Sequence, residues 1–579
     1  MTEFVEDVKK PELTTHVADK HEKGSMSESV DAYMEDYMSK FLDISNNAKE
    51  NDKKEKSMSL KEGIKTFPKA ALWSVVLSSS IIMEGYDNNL LNSFYSFPDF
   101  VQTFGEYFPE KDKWEIPARW QTGLSMSVSV GQICGLFLSG IIADRFGYKK
   151  TLIGALLLTT AFIFIVFFAQ NVAMLLVGEL LLGFPWGAFQ TITVSYASEV
   201  CPTVLRLYLT TYVNACWVIG QLISSGVLRG LVGSTIKDSW KIPFGLQWVW
   251  PIPIAIGVYF APESPWWMVK KGKYQEAKHS IKRLLTENEH LPDKEVMAQA
   301  MVDKMKLTIK EEKALTAGIS FLDCFNKKNI RRTRIACVTW LMQNITGSAF
   351  MGYSTYFYIQ AGLSTSMSFT FSIIQYVLGI IGTIIAWFAS TKFGRFDIFF
   401  FGLCSQFVIL LTTGILGCFP SEGASWAVGS LLLIFTFVYD SCVGPITYCV
   451  VAEMPSNSLR TKTIILARNV YNIAGIVIAI IMPYMLNPTA WNWRAKTGFF
   501  WAGFAFIAAI WCYLEMPETK NRTFSELDLL FEREVPARKF KTTSVEVFDI
   551  DEMMDKFGEE GVRDMVETNI VETSKVEKV

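Results

Sequence analysis

The sequence predicts an all-α membrane protein with twelve spanning helices arranged in two six-helix halves. Three observations predict it. Apolar runs of about 20 residues recur from residue 70 to residue 516, the length a helix needs to cross the hydrocarbon. Of 579 residues, 50% are hydrophobic and only 19% charged, and the charges crowd into both ends and one central stretch, unlike a soluble protein of this size. Finally, signals in the first half of the chain return in the second, in the same order.

Taken in order, residues 1–66 are rich in Lys, Glu, Asp and Ser and read as a disordered tail. The first six segments fall at about 70–97, 120–143, 151–170, 172–199, 207–230 and 242–261, within a half spanning 67–262. The polar stretch 263–334 carries helix-like runs at Tyr274–Leu285 and Glu295–Leu315, too polar to span. Six more segments follow at about 335–359, 367–390, 397–418, 425–451, 463–486 and 497–516, and a second polar tail occupies 517–579. Lys and Arg decide the orientation. Arg145, Lys149, Arg206, Lys392, Arg395, Arg460 and the whole central stretch fall on the side of both tails, which places the two termini in the cytoplasm.

The repeat has three paired signals. Asp144-Arg145-Phe146-Gly147 follows segment 2 and Thr391-Lys392-Phe393-Gly394 follows segment 8. Glu199 precedes Arg206 by the same interval as Glu453 precedes Arg460, after segments 4 and 10. Pro262-Glu263-Ser264-Pro265 closes segment 6, and Pro517-Glu518-Thr519-Lys520 closes segment 12. Two halves of this kind commonly bind substrate at their interface near the midplane and rock about it.

Segment 1 carries Glu84 and Asp87. A charge at the bilayer centre costs at least about 2.5–3.5 kcal/mol, so intramembrane acids mark ion and substrate pathways. Three residues apart, the two share one helix face and together can bind and release a proton. The alternative is a pair of structural acids hydrogen-bonded to neighbouring helices. Other chemistries have little support. The net charge of -2 offers nothing to nucleic acid. Ten scattered cysteines show no CxxC spacing, so no metal and no cofactor is expected. His16, His21, His279 and His290 all lie outside the segments, which excludes a histidine relay. With no nucleophile elbow and no Walker loop, the chain is not read as an enzyme, nor as driven by ATP.

These residues resemble the sugar porters of the major facilitator superfamily. Gly140-Ile141-Ile142-Ala143-Asp144-Arg145-Phe146-Gly147-Tyr148-Lys149 is similar to the family's loop pattern, and the paired Glu-x6-Arg and Pro-Glu-Ser/Thr signals match it as well. Within the family the chain looks most like the fungal α-glucoside, maltose-type proton symporters. Met83-Glu84-Gly85-Tyr86-Asp87, Gly183-Phe184-Pro185-Trp186-Gly187 and Leu459-Arg460-Thr461-Lys462-Thr463 carry that closer match.

The resemblance implies a monomeric plasma-membrane importer that moves sugar with a proton by alternating access. It puts the proton on Asp87, with Glu84 adding a second acid. Where many symporters carry an Arg early in segment 4, this chain has Glu179. Glu179 then either joins a carboxylate cluster or pairs with a basic group elsewhere, Arg468 being the one Arg well inside an apolar run of the second half. By family position the sugar contacts are Asn214, Gln343, Ser348, Asp440, Tyr448 and Asn472. Helix–helix hydrogen bonding is the plainer role for the amides. Asp144, Arg145, Glu199, Arg206, Glu263, Glu453, Arg460 and Glu518 read as a cytoplasmic gate whose ion pairs hold the halves together while the outside is open. An uncoupled facilitator and a transporter-like sugar receptor are the rival functions.

Overall fold

The computed structural model describes residues 60–543, apart from short breaks at 110–111, 202, 287–293, 317–320, 420, 457–458, 489, 521 and 523. The two tails expected at 1–66 and 517–579 therefore fall largely outside the described residues. Their described parts are ordered: a helix runs over Leu60–Thr66, and another over Phe524–Glu532.

Nine helices are long and apolar enough to cross a membrane among the described residues, and they coincide with segments 2, 3, 4, 6, 8, 9, 10, 11 and 12. The other three predicted segments are helical too, but polar or broken. Segment 1 is Pro68–Ser78 followed by Ser80–Phe94. Segment 5 is the single helix Thr203–Leu231. Segment 7 runs over Ile330–Ile345, breaks at Gly347 (φ 98°), and resumes as Ala349–Gly352 and Ser354–Gln360. Segment 10 also departs from a plain α-helix, passing through a π-turn at Tyr439–Val443 before Gly444–Glu453. Breaks and π-turns of this kind concentrate at functional sites.

The most apolar rods face outward. Leu157, Phe164, Ile256, Phe401, Val408, Ile507 and Leu514, on segments 3, 6, 9 and 12, are all exposed, as suits a face whose solvent is lipid tails. Segments 1 and 5 pack at close range. A Cβ on Gly220 would lie 2.6 Å from Tyr86 N and 3.0 Å from Gly85 C, so only glycine lets these backbones meet, as small residues do generally between membrane helices. Segments 2 and 4 meet the same way, with Gly183 against the Gly131 Cα.

The central stretch folds into Pro265–Lys270, Tyr274–Leu284 and Lys294–Thr316. Tyr274–Leu284 buries Ala277, Ile281 and Leu284 on one face. A small departure from all-α is the hairpin between segments 1 and 2. Glu106–Phe108 pairs antiparallel with Lys113–Glu115, with Tyr107 opposite Trp114.

The two halves touch at several places, among them the ends that the Lys and Arg bias puts outside. Ser125 Oγ and Tyr353 OH lie 2.9 Å apart, Tyr376 donates to Asn89 Oδ1 at 2.7 Å, and Gln360 donates to Glu115 at 3.3 Å. Each bond joins a residue of the first half to one of the second.

Candidate functional site

Glu84 and Asp87 are 0% and 1% exposed. A three-residue step turns a helix by about 300°, so the two carboxyls point some 60° apart into neighbouring pockets. Asp87 turns into the first half. Gln247 Nε2 donates to its Oδ1 at 2.6 Å and Trp186 Nε1 to its Oδ2 at 3.2 Å. Glu179, fully buried, stands against the Asp87 carboxyl, and neither Glu179 oxygen closes a hydrogen bond to a donor among the described residues. Of the two placements open for Glu179, the structure takes the carboxylate cluster.

Arg468 is elsewhere. Its Nη2 donates to Gln190 Oε1 at 2.6 Å, and its guanidinium lies over Tyr471 at 4.6 Å and Trp340 at 5.2 Å. Gln190 Nε2 in turn donates to Glu84 Oε1, which also receives Gln132 Nε2 at 3.2 Å. The interface between the halves thus carries a chain of polar groups from segment 11 through segment 4 to segment 1.

The residues placed by family position are distributed around this chain. Asp440 sits in the π-turn of segment 10, 4% exposed, with Asn214 of the opposite half beside its carboxyl. Gln343 donates to Gly444 O at 3.2 Å. Tyr448 meets Trp340 edge to face at 5.9 Å, and Trp340 also packs on Tyr471. Gln343 Oε1, Asn472 Nδ2 and Trp340 Nε1 are buried without a hydrogen-bond partner among the described residues. Native interiors leave few such groups, and unpartnered polar atoms beside flat aromatic faces suit a polyhydroxylated ligand. Ser348 is placed differently. Its hydroxyl bonds back to Asn344 O at 3.1 Å, at the break in segment 7.

The cytoplasmic charges form two copies of one device. Glu263 caps the start of segment 3, accepting from Tyr148 N at 3.1 Å and Lys149 N at 3.2 Å. Glu518 caps the start of segment 9, accepting from Arg395 N at 2.9 Å and Phe396 N at 3.1 Å. Gly147 and Gly394 make room, since a Cβ on either would strike the capping carboxylate. Burial pushes the Glu263 carboxyl up, and the backbone N–H groups of Ser264, Lys149 and Tyr148 pull it back. Glu199 accepts from Ser264 and Tyr148, and Glu453 from Thr519 and Arg395. Every one of these bonds runs within one half. Asp144 and Arg145 are exposed, with Arg145 over the Phe146 ring at 5.5 Å. The side chains of Arg206 and Arg460 lie outside the described ones.

Five site residues were not singled out from the sequence: Gln132, Gln190, Gln247, Trp186 and Trp340. A signal was available for three of them, since Gln132, Gln190 and Gln247 are amides inside apolar runs. Their partners, however, come from other helices.

The model of the family described as sugar (and other) transporter matches residues 73–531. The chain belongs to that family. Over 515 residues the transporter is 47% identical to an alpha-glucosides permease of Saccharomyces cerevisiae, covering 88% of this chain and 85% of that one. It is 46% identical to a maltose permease of the same yeast, with 86% and 82% covered, and 44% identical to a general alpha-glucoside permease, with 88% and 82% covered. Among solved structures, a partially occluded, inward-open xylose transporter XylE from E. coli superimposes with a TM-score of 0.63 at 17% identity, covering 79% of this chain and all of that one. The proton:xylose symporter XylE bound to 6-bromo-6-deoxy-D-glucose gives 0.66 at 18%, covering 80% and 100%. The fold is that of the major facilitator superfamily, and the transporter is not an enzyme.

Proposed function

We propose that this transporter imports an α-glucoside, maltose or a related di- or trisaccharide, together with a proton, by alternating access in the plasma membrane. Twelve segments cross the bilayer, with both termini in the cytoplasm and the protein acting as a monomer. The observation that carries proton coupling is the contact of Asp87 with Glu179. Both are buried, and among the described residues no cation pairs with either. Two carboxyls in contact without a cation do not both stay charged away from water, so the pair holds a proton that one membrane face can supply and the other remove. The names of the relatives support the sugar class. The unpartnered polar atoms of Gln343, Asn472 and Trp340 supply contacts for its hydroxyls.

The energetics suffice. One proton entering down 100 mV supplies about 2.3 kcal/mol, and each tenfold of sugar accumulation needs about 1.4 kcal/mol. The decisive assay records external pH in weak buffer while cells lacking other sugar carriers receive maltose. Alkalinisation that disappears in Asp87→Asn or Glu179→Gln supports symport. Uptake without a pH change leaves an uncoupled facilitator. Surface protein that takes up no sugar points to a receptor.

A further inference from the structure

Among the described residues, Gln190 is the one side chain that hydrogen-bonds both Glu84 of segment 1 and Arg468 of segment 11. We propose that it is a positioning residue: its amide reports the state of Glu84 in the first half to Arg468 in the second. The inference rests on the proton-coupling reading and extends it from the Asp87–Glu179 pair to Glu84, the second acid of segment 1.

The geometry constrains the amide at both ends. Its carbonyl oxygen accepts from Arg468 Nη2 at 2.6 Å, and its nitrogen donates to Glu84 Oε1. A primary amide has one acceptor end and one donor end. Flipped, it would set NH2 against a guanidinium and oxygen against a carboxyl, two like contacts at once. The two charged partners therefore hold it in one orientation. The local sequence brings it there. Gly187, one turn before Gln190, lets segment 4 approach segment 2 so closely that a Cβ would lie 2.7 Å from Leu136 N. That approach aims Gln132 and Gln190 at the same carboxyl oxygen. Glu84 Oε2 is left over. Trp217 lies beside the carboxyl, but among the described residues no donor closes a hydrogen bond on Oε2. Oε2 is thus the oxygen on which a proton can sit without breaking the tie.

Consider the two states. With Glu84 charged, the amide lies between an anion and a cation, and both of its hydrogen bonds are charge-assisted. With a proton on Oε2, the anionic end is gone and the pull on Arg468 weakens. Arg468 rests on Tyr471 and Trp340, the aromatic faces of the second half. Loading and unloading of Glu84 therefore reaches the contact between the halves through one side chain.

The test uses full-length transporter in cells without other sugar carriers. It measures uptake of labelled maltose, the accompanying change in external pH, and protein at the surface. Gln190→Met keeps the length and removes the amide. Its maximal uptake should fall at least about tenfold, the scale of one charge-assisted hydrogen bond, with KM little changed and the pH signal lost. The swap Glu84→Gln with Gln190→Glu restores one acid and one amide on exchanged helices, and should recover uptake that Gln190→Met lacks. A Gln190→Met transporter with wild-type uptake and wild-type protons per sugar overturns the proposal. So does a swap variant that recovers nothing. If Gln190→Met does not reach the surface, the swap decides alone. Failure of the coupling reading itself looks different: wild-type protein would then move maltose with no pH change.

Discussion

Glu518→Gln tests whether the cytoplasmic acids act as helix caps. The carboxylate is 8% exposed and receives three backbone N–H groups: Arg395 and Lys520 at Oε1, at 2.9 and 3.0 Å, and Phe396 at Oε2, at 3.1 Å. A glutamine has one acceptor oxygen. The better orientation keeps the two donors at Oε1 and turns NH2 toward the Phe396 N–H, leaving that donor unpaired. An unpaired buried donor costs about 1–3 kcal/mol, and loss of the negative charge at a helix N-terminus costs about 0.3–1 kcal/mol more. The expected loss of stability is therefore about 1.3–4 kcal/mol. Denaturant titration of the purified transporter in mild detergent measures it, and Glu263→Gln should lose a similar amount at the matching cap. Variants within about 0.5 kcal/mol of wild type, the range of an ordinary surface change, would refute the cap. Unchanged stability with a shifted balance of inward- and outward-facing forms would favour a gate between the halves instead.

Two further outcomes follow from packing. Gly220→Ala places a methyl 2.6 Å from Tyr86 N and should lower both thermal stability and surface expression, whereas Gly154→Ala, with nothing within 4 Å, should change neither. Arg538 ties the chain after segment 12 to the end of that helix, donating to Met516 O at 2.7 Å and lying 3.5 Å over the Phe396 ring. Arg538→Ala should expose the stretch around residue 538 to limited proteolysis, followed by gel electrophoresis, while the membrane helices stay intact.

Much of the architecture was legible because lipid imposes a simple length and polarity rule. Segment 12, read at about 497–516, forms as Thr497–Glu515, and the amphipathic run read at Tyr274–Leu285 forms as Tyr274–Leu284. Breaks were less legible. Gly347 interrupts segment 7 and a π-turn interrupts segment 10 at Asp440. Neither departure changes composition enough to show in an apolar run. The paired Pro-Glu signals were visible as a repeat, but their role as caps depends on loops folding back onto helices far away in sequence.

The sequence alone determined which groups are costly. Glu84, Asp87, Glu179 and Arg468 stand out because a charged side chain in hydrocarbon needs a reason, whatever surrounds it. The tertiary structure decided what each one meets. Asp87 and Glu179, far apart in sequence, share one pocket, while Arg468 passes over both acids of that pocket and reaches Glu84 through Gln190. Pairing across helices depends on rotation and close approach, set by glycines such as Gly187 and Gly220 where backbones touch. Those are properties of two helices at once, and no single stretch of sequence contains them.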